Sequence, residues 1–308
     1  ARSPRCEARC AERGSGNGNE SQSCPYAKHF EGKYWAWRSW RMCGADSLRV
    51  EVECDGLDRE AMVAQMSRQF GGKHTVFVGD STMRQSFLGL LCMFWEESLI
   101  GGYDEERSHI KENNEHEHHV EWKGLLNGSF PELGEGTKFT YVRLDWGKPG
   151  PLLLNVLDTA DVTVANLGMH YHRPQGEESH ITVDDKVVHN GSYAEDVEAM
   201  LQSISKRGRP GHRFFWRESL TCAEYATKDR WTQDFGCSAS KRNWVQARYN
   251  QVASRQPSYG TVEVLPVQDL LSDFWWSHPG QHDCCHRVNS VPGLLSAMAR
   301  VLVASLAR

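Results

Sequence analysis

The chain has 308 residues, enough for one large domain with a substantial core or for two small ones. Hydrophobic residues make up 39% of it and charged residues 24%, which is typical of a globular protein. The formal net charge of -5 argues against a nucleic-acid partner, because such proteins carry a basic surface. No stretch approaches the roughly 20 apolar residues of a membrane span, and no signal peptide follows Ala1, so no membrane anchor is predicted in this chain.

The N-terminal part of the chain has two different compositions. Residues 1–23 are polar and rich in Gly, Ser and Arg, which predicts a tail that Cys6 and Cys10 could fix to the rest of the protein. Residues 24–57 combine cysteines with clustered aromatic residues and predict a small disulfide-tied subregion. We expect this subregion to belong to a single domain over 24–308.

A strand-to-helix turn is predicted in the next segment. Residues 58–70 have apolar side chains at helical spacing, and two glycines follow them. The apolar run 74–78 is typical of a buried parallel strand. Helical spacing resumes over 82–95, so Ser81 lies at the turn between the strand and the start of the second helix.

The remaining segments alternate in type. Further strands are predicted at 139–146, 161–166, 212–217 and 261–265, and further helices at 193–205, 243–255 and 291–307. This alternation predicts an α/β fold with a mostly parallel sheet covered on both faces. The acidic, histidine-rich segment 103–122 is predicted to be an exposed loop. Its histidines do not have the spacing of a zinc site, so no metal site is predicted; they are His116, His118 and His119.

Ser81 is the first candidate for chemistry, in the sequence Gly79-Asp80-Ser81. Ligands of open α/β sheets bind beyond the carboxyl ends of the strands. A serine there, at a helix N-terminus, has backbone N–H groups nearby that favour a developing oxyanion. The segment is not a G-x-S-x-G elbow, because Met83 occupies the position of the second glycine. Taken alone, the tripeptide favours a helix cap by Asp80 or Ser81 over a nucleophile.

Two later segments could complete a site for acyl transfer. Asp283 precedes His286 by three residues, so one turn of chain could supply a general base and the carboxylate that orients it. The alternative is a surface turn held by disulfides. Asn166 and Gly168 directly follow a predicted strand, and an amide side chain and a glycine N–H are suitable oxyanion donors. Here the alternative is a glycine turn with a capping Asn.

Other side chains are weaker candidates for substrate binding. Arg84 lies one helical turn after Ser81, and Arg217 ends the strand at 212–217. Each arginine could hold an anionic group or could stabilise a turn by bonding carbonyl groups. His170 is a candidate from the segment that contains Gly168. Two further candidates precede Asp283 and could stack on sugar rings, although aromatic side chains are more often packing groups: Trp275 and Trp276.

Taken together, these segments resemble the trichome-birefringence-like / PC-esterase family. The run from Lys73 to Arg84 is similar to the GDS block of the family, and Asp283-Cys284-Cys285-His286 is similar to its DxxH block. The upstream pattern of aromatic residues between Cys24 and Cys43 resembles the family's N-terminal segment. Its middle blocks resemble 166–170 and 215–218, so the similarity extends over roughly residues 24–300 in the family's order. The cysteine that usually follows the DxxH histidine is missing here.

The resemblance implies an SGNH-hydrolase-like three-layer αβα fold and a polysaccharide O-acetyltransferase. Ser81 would carry the acetyl group, His286 would be the base and Asp283 would orient it. Asn166 and the N–H groups of Ser81 and Gly168 would form the oxyanion hole. The expected partners are an acetyl donor and a carbohydrate acceptor, and no cofactor is expected. A carbohydrate acetylesterase that uses the same triad with water is the alternative, and a glycan-binding module with a degenerate site is a third possibility.

The cysteines and the glycosylation sequons predict the compartment. The chain has ten cysteines, and Asn19, Asn127 and Asn190 each begin an Asn-x-Ser sequon. Together they favour the secretory pathway, in the Golgi lumen or outside the cell, with N-glycans at these sites. The adjacent Cys284 and Cys285 would need separate partners, because a bridge between neighbours is strained. Plausible bridges elsewhere are Cys24–Cys43 and Cys222–Cys237, although sequence alone does not fix connectivity.

Overall fold

The computed structural model describes residues 6–12, 48–54, 57–101, 110–114, 124–168, 171, 179–183, 186–219, 249–268, 270 and 297–308. These residues form an α/β fold with a mostly parallel, seven-stranded central sheet and helices on both of its faces. The predicted α/β class is therefore confirmed. No helix within the described ranges is both long and apolar enough to cross a membrane.

The elements of the fold are as follows. The strands are β1 (Cys6–Glu12), β2 (Leu48–Cys54), β3 (His74–Gly79), β4 (Ile110–Asn114), β5 (Gly124–Ser129), β6 (Lys138–Arg143), β7 (Val162–Ala165), β8 (Ser179–Val183), β9 (Lys186–Gly191), β10 (Arg213–Arg217) and β11 (Glu263–Leu265). The helices are α1 (Arg59–Phe70), α2 (Ser81–Glu96), α3 (Pro151–Leu157), α4 (Tyr193–Ser205) and α5 (Ala297–Leu306), and residues 249–254 are also helical.

The order of strands in the central sheet places β3 in its middle. The sheet runs β11-β10-β7-β3-β6-β5-β4, and its first five strands are parallel. Strand β5 is antiparallel to β6 and to β4. Two antiparallel pairs, β1 with β2 and β8 with β9, lie outside this sheet. Because the first five strands are parallel, their carboxyl ends share one edge of the sheet, which we call the C-terminal edge.

Strand β3 is apolar along its length because helices cover both faces of the sheet. All six of its residues are buried. Phe77 belongs to the core on the face of α1, α2 and α5, whereas Val76 and Val78 belong to the core on the face of α3 and α4. This alternation is the period of two that a strand imposes on its side chains. It explains why a continuous apolar run, and not an alternating one, predicted a strand here.

Helix α2 is buried on nearly all sides. From Met83 to Trp95 its residues are buried except Arg84, and its neighbours include α5 as well as the strands β3 and β6. A helix that is apolar around most of its circumference must lie in the interior of a domain. The first turn of α2 is therefore fixed in space by packing along the whole helix.

Most of the predicted elements are present with small differences in their bounds. The helices predicted at 58–70, 82–95 and 193–205 are confirmed as α1, α2 and α4. The strand predicted at 139–146 ends earlier, at Arg143: the Leu144 N–H still donates to Gly79 O (2.9 Å), and the chain bends from residue 145 onwards. The helices predicted at 243–255 and 291–307 are helical in their described parts, 249–254 and 297–306.

One prediction is wrong and several strands were not predicted. Within the segment 103–122, predicted to be a loop, residues 110–114 form β4 at the outer edge of the sheet. The sequence of this strand is polar, which is common for an edge strand, and it pairs with β5 through the backbone. In the N-terminal region expected to be a tail, β1 pairs with β2, and a disulfide joins Cys6 to Cys54. The bridges suggested for Cys24–Cys43 and Cys222–Cys237 lie outside the described residues.

Candidate active site

Ser81 occupies the first position of helix α2, directly beyond the carboxyl end of β3. Asp80 is the N-cap residue: its carboxylate accepts a hydrogen bond from the Thr82 N–H (2.8 Å). Between the two capping alternatives from the sequence, the structure therefore selects Asp80. Ser81 is half-buried, whereas the residues on either side of it are fully buried. The cap and the serine have separate positions, so the Ser81 hydroxyl is not the group that caps α2.

The backbone of this turn is held by contacts from two neighbouring strands. Gly79 has a φ of +152°, and a Cβ atom there would lie 2.5 Å from Asn166 O, so only glycine fits. The buried Tyr141 hydroxyl of β6 donates to Gly79 O (3.1 Å) and is also 3.0 Å from Asp80 O. Burial, and then the charge of Asp145, raise the pKa of Tyr141 well above its usual value, so this hydroxyl stays a donor at neutral pH.

Arg217 reaches the same turn from the end of β10. Its guanidinium donates to Thr82 O (3.1 Å), to the Thr82 hydroxyl (2.8 Å) and to Ser86 Oγ (2.9 Å). Burial lowers the pKa of Arg217 to about 10, an effect that the charge of Asp80 opposes, so the side chain is a cation at neutral pH. The side chain is 1% exposed. Of the two roles considered for Arg217, these contacts favour the stabilisation of a turn over the binding of an anionic group.

Thr82 connects the buried cation to the buried carboxylate. Its hydroxyl donates to Asp80 Oδ1 (2.6 Å) while it accepts from Arg217 Nη2. Asp80 and Arg217 are thus opposite charges bridged by a neutral hydroxyl, with all three side chains almost completely inaccessible to solvent. Charges at such depth are tolerated only when they are paired and hydrogen-bonded.

Asn166 lies beside Gly79, where β7 ends. Its N–H donates to Val78 O (3.0 Å), which continues the pairing of β3 with β7 by one residue. Its amide group donates to Arg217 O (2.8 Å) and to Ser219 Oγ (3.3 Å), and its Oδ1 accepts from Arg217 Nη2 (3.0 Å). Both amide hydrogens are therefore used within the protein. In this arrangement the Asn166 side chain connects the end of β7 to the end of β10.

Gly168 is the second residue of this segment with an expected role. Its φ is +156°, and a Cβ atom there would lie 3.0 Å from Ser219 Oγ and 3.4 Å from the Tyr249 ring. Glycine is therefore required both by the backbone conformation and by the close approach of these side chains. Strands β3 and β7 are paired up to Val78 and Ala165, so Ser81 and Gly168 each lie three residues beyond this last pair.

Three buried tyrosines pack around this segment. Tyr193 forms edge-to-face contacts with Tyr171 (5.0 Å between ring centroids) and with Tyr249 (4.9 Å). The Tyr193 hydroxyl donates to Leu167 O (3.1 Å), and the Tyr171 hydroxyl donates to the buried Asp196 (2.7 Å). Edge-to-face pairs and satisfied hydroxyls both restrict movement, so the segment from Asn166 to Gly168 has a firm support.

Arg84 is half-buried on the first turn of α2, and its backbone N–H donates to Asp80 O (3.2 Å). Its charge acts on Tyr141 by lowering the pKa of that hydroxyl, against the larger effect of burial. Arg84 is thus close to the turn that carries Ser81, as its spacing in the sequence predicted.

Five of the predicted site residues lie outside the described residues: His170, Trp275, Trp276, Asp283 and His286. The same holds for the histidines of the 103–122 segment. Among the residues that are described, no group of three or more His, Cys, Asp and Glu side chains could hold a metal ion.

Two contributors to the site were not predicted from the sequence. Thr82 follows Asp80 by two residues, which is the spacing of an Asx-type cap and could have been noticed. Tyr141 lies in a predicted strand, and only the pairing of β6 with β3 brings its hydroxyl to Gly79. The sequence matches no protein-family model, and none of the curated proteins matches it.

Proposed function

We propose that this protein is a glycan O-acetyltransferase that carries the acetyl group on Ser81. The observation that carries the proposal is the position of Ser81. It is half-buried at the N-terminus of α2, beyond the carboxyl end of the central strand, while Asp80 takes the capping role. Ligand sites of open α/β sheets lie at this edge, and a helix N-terminus favours a developing negative charge. The ordered blocks that resemble the PC-esterase family add the substrate class and an SGNH-like fold.

In the first half-reaction, Ser81 Oγ attacks the carbonyl carbon of the acetyl donor while His286 takes the hydroxyl proton. Asp283 holds the imidazole in the required orientation. Collapse of the tetrahedral intermediate breaks the bond to the leaving group, which receives the proton from His286, and leaves acetyl-Ser81. The backbone N–H groups of Ser81 and Gly168 are our assigned oxyanion donors, because the Asn166 amide hydrogens are used elsewhere.

In the second half-reaction, a sugar hydroxyl attacks the acetyl carbonyl and gives its proton to His286. The ester bond to Ser81 breaks, Ser81 regains a proton from His286, and the acetylated sugar is released. Water in place of the sugar would make the protein an acetylesterase with the same residues. The two activities therefore differ only in the acceptor that reaches the acyl-enzyme.

The proposed compartment is the secretory pathway. The disulfide between Cys6 and Cys54 supports it, as does the disulfide-bonded state of Cys92 in α2, because such bonds persist in oxidising compartments. The sequons at Asn127 and Asn190 lie in β5 and β9. We propose that the partners are an acetyl donor and a carbohydrate acceptor.

The test is covalent labelling of Ser81, read as intact protein mass after incubation with a fluorophosphonate or an acetyl donor. Ser81→Ala is expected to abolish labelling, and His286→Ala is expected to slow it by about 10³-fold or more, because the serine loses its base. Ser67→Ala is the matched control, since Ser67 is an exposed helical serine on α1. Equal labelling of the parent and Ser81→Ala would refute the proposal.

Transfer and hydrolysis are separated with the same protein. The acetylated enzyme is incubated with and without oligosaccharides, and the products are identified by mass. An acetylated oligosaccharide supports the transferase. Free acetate alone, at a rate that oligosaccharides do not change, would show that the enzyme is an esterase.

A further inference from the structure

Arg217 is among the largest side chains that are fully buried in the described part of the chain. It lies at the C-terminal edge, where a positive charge is brought into the interior between helix α2 and the end of β7. A side chain that served only to fill this space could be apolar, and burial of a charge is expensive. The presence of an arginine at this depth points to a requirement for the geometry that a guanidinium imposes.

The two ends of the guanidinium bond to two different structural elements. Nη1 donates to Thr82 O (3.1 Å) and to Ser86 Oγ (2.9 Å), both on α2. Nη2 donates to the Thr82 hydroxyl (2.8 Å) and to Asn166 Oδ1 (3.0 Å), and Asn166 is the first residue after β7. The Arg217 carbonyl in turn accepts from the Asn166 amide (2.8 Å). One planar group thus connects the first turn of α2 with the segment after β7.

We propose that Arg217 is a positioning residue, which sets the distance between the Ser81 hydroxyl and the backbone N–H groups of the segment after β7. The inference rests on the proposed function, because it assigns those N–H groups to the oxyanion. Arg217 does not contact the reacting atoms in this role; it acts through Thr82 on one side and Asn166 on the other. A planar fork of fixed geometry suits the task better than the flexible ammonium group of lysine.

A positioning role predicts a lower rate of the bond-forming step at Ser81 and an unchanged affinity for the probe. A misplacement of about 1 Å in a catalytic group can cost about 100-fold in rate. We expect Arg217→Met to lower the maximal rate of Ser81 labelling by a fluorophosphonate about 10- to 100-fold, with little change in the probe concentration at half-saturation. A role of Arg217 in binding the probe would change the half-saturation concentration, and that result would overturn the proposal.

Arg217→Lys is the partial replacement. It keeps the positive charge but loses the planar fork, so its labelling rate should lie between those of the parent and Arg217→Met. Thr82→Val and Thr82→Ser test the same connection from the other side, and they keep the proposal testable if Arg217→Met does not fold. Valine removes the hydroxyl that accepts a hydrogen bond from Arg217 Nη2, whereas serine keeps it. Thr82→Val should therefore lower the labelling rate of Ser81 more than Thr82→Ser does.

Arg213→Met is the matched control. Arg213 lies on the same strand but at its opposite end, where it pairs with Glu263 (2.6 Å) and donates to two carbonyls of α5. Its loss should lower the melting temperature and leave the labelling rate of the folded protein within about two-fold of the parent. All rates are measured well below the melting temperature of each variant.

The outcomes separate this inference from the proposed function. If the parent is not labelled at Ser81, the proposed function fails and the role of Arg217 fails with it. If the parent is labelled and folded Arg217→Met is labelled within about two-fold of its rate, only the positioning role is overturned. The positioning role is also overturned if Arg213→Met loses as much rate as Arg217→Met, because the effect would then reflect general destabilisation.

Discussion

The two ends of the parallel strands handle their charged groups in opposite ways. At the C-terminal edge, Asp80 and Arg217 are fully buried, and a threonine hydroxyl bridges them. At the other edge, which we call the N-terminal edge, Arg213 pairs with Glu263, and both side chains keep a substantial part of their surface in solvent. Solvent screens an exposed ion pair, so the pair loses little hydration free energy when it forms and contributes little to stability. A buried network costs more to form, and it specifies one arrangement of the groups that compose it.

Tight glycines occur at both edges and do not distinguish them. At the C-terminal edge, Gly79 and Gly168 have positive φ, and each faces an atom within 3.0 Å of its missing Cβ. Near the N-terminal edge, a Cβ atom at Gly71 would lie 2.6 Å from Leu133 O, and one at Gly208 would lie 2.3 Å from the His212 ring. The burial of charge, and not the close approach of backbones, therefore separates the C-terminal edge from the other.

Replacement of Asp80 should show the largest effect on stability. Asp80→Ala removes the cap of α2 and leaves the buried Arg217 without its counter-charge, so we expect a loss of about 4 kcal/mol in the free energy of unfolding. Asp58 caps α1 with the same side-chain contact to a backbone N–H (2.8 Å) but is exposed. Asp58→Ala should therefore cost only about 1 kcal/mol.

Both Asp variants are measured by urea unfolding. Asp80→Asn serves as an additional variant, because it keeps a side-chain oxygen for the cap and removes only the charge. The free energy of unfolding that Asp80→Asn loses should lie between the losses of Asp80→Ala and Asp58→Ala. Equal losses for the two alanine variants would mean that burial of the charge pair adds nothing to the cap.

Replacement of Gly79 tests the backbone at the same edge. Alanine there would bring a Cβ atom to 2.5 Å from Asn166 O at a φ of +152°, so we expect Gly79→Ala to cost about 3 kcal/mol or more. Gly260→Ala is the control and should change stability by no more than about 0.5 kcal/mol. Thermal and urea unfolding measure both. A Gly79→Ala protein as stable as the parent would show that the turn can relax.

His74 gives the N-terminal edge a pH dependence of its own. Its ring nitrogens lie 2.9 Å from Thr159 Oγ1 and 2.8 Å from Thr140 Oγ1, and it is 4% exposed. Burial, and then the charge of Lys138, lower the pKa of His74 from 6.5 to about 4. Since the folded state resists protonation, the unfolded state binds more protons below pH 6.5. Stability is therefore full above about pH 6.5 and is lost as the pH falls towards 4.

The expected size of this effect is about 2–3 kcal/mol between pH 6.5 and 4. The measurement is the urea midpoint of the parent and of His74→Gln across this range. The variant lacks the titrating ring, so the difference between the two proteins should shrink as the pH falls. Curves that stay parallel over the whole range would exclude His74 as the cause. Labelling of Ser81 in the folded variant should be unchanged, because His74 lies at the opposite edge.

Several features of the fold could be predicted because they depend on local patterns. The strand at 74–78 was predicted from an apolar run with a glycine after it, and helix α2 from apolar spacing at a period near 3.6. Such patterns are visible in the sequence because each residue that faces the core must be apolar. Strand β4 gave no such signal, since it is a polar edge strand and only its pairing with β5 makes it a strand.

The candidate site divides in a similar way. Ser81 at a strand-to-helix turn, and Asn166 and Gly168 after the next strand of the sheet, could be read from the order of residues. The identity of the cap could not, because Asp80 and Ser81 are both good capping residues. Nor could the direction of the Asn166 amide, which depends on a partner 51 residues away on β10.

The sequence by itself thus determined the α/β class, the position of Ser81 at the end of a buried strand, and the order of segments that meet at one edge of the sheet. These are consequences of side-chain periodicity and chain direction, which are local. Only the tertiary structure decided that Arg217 points inward, that Thr82 bridges it to Asp80, and that Asn166 supports the site with its amide. Those outcomes depend on which strands become neighbours, because a buried charge must find its partners among groups that lie far apart in the chain.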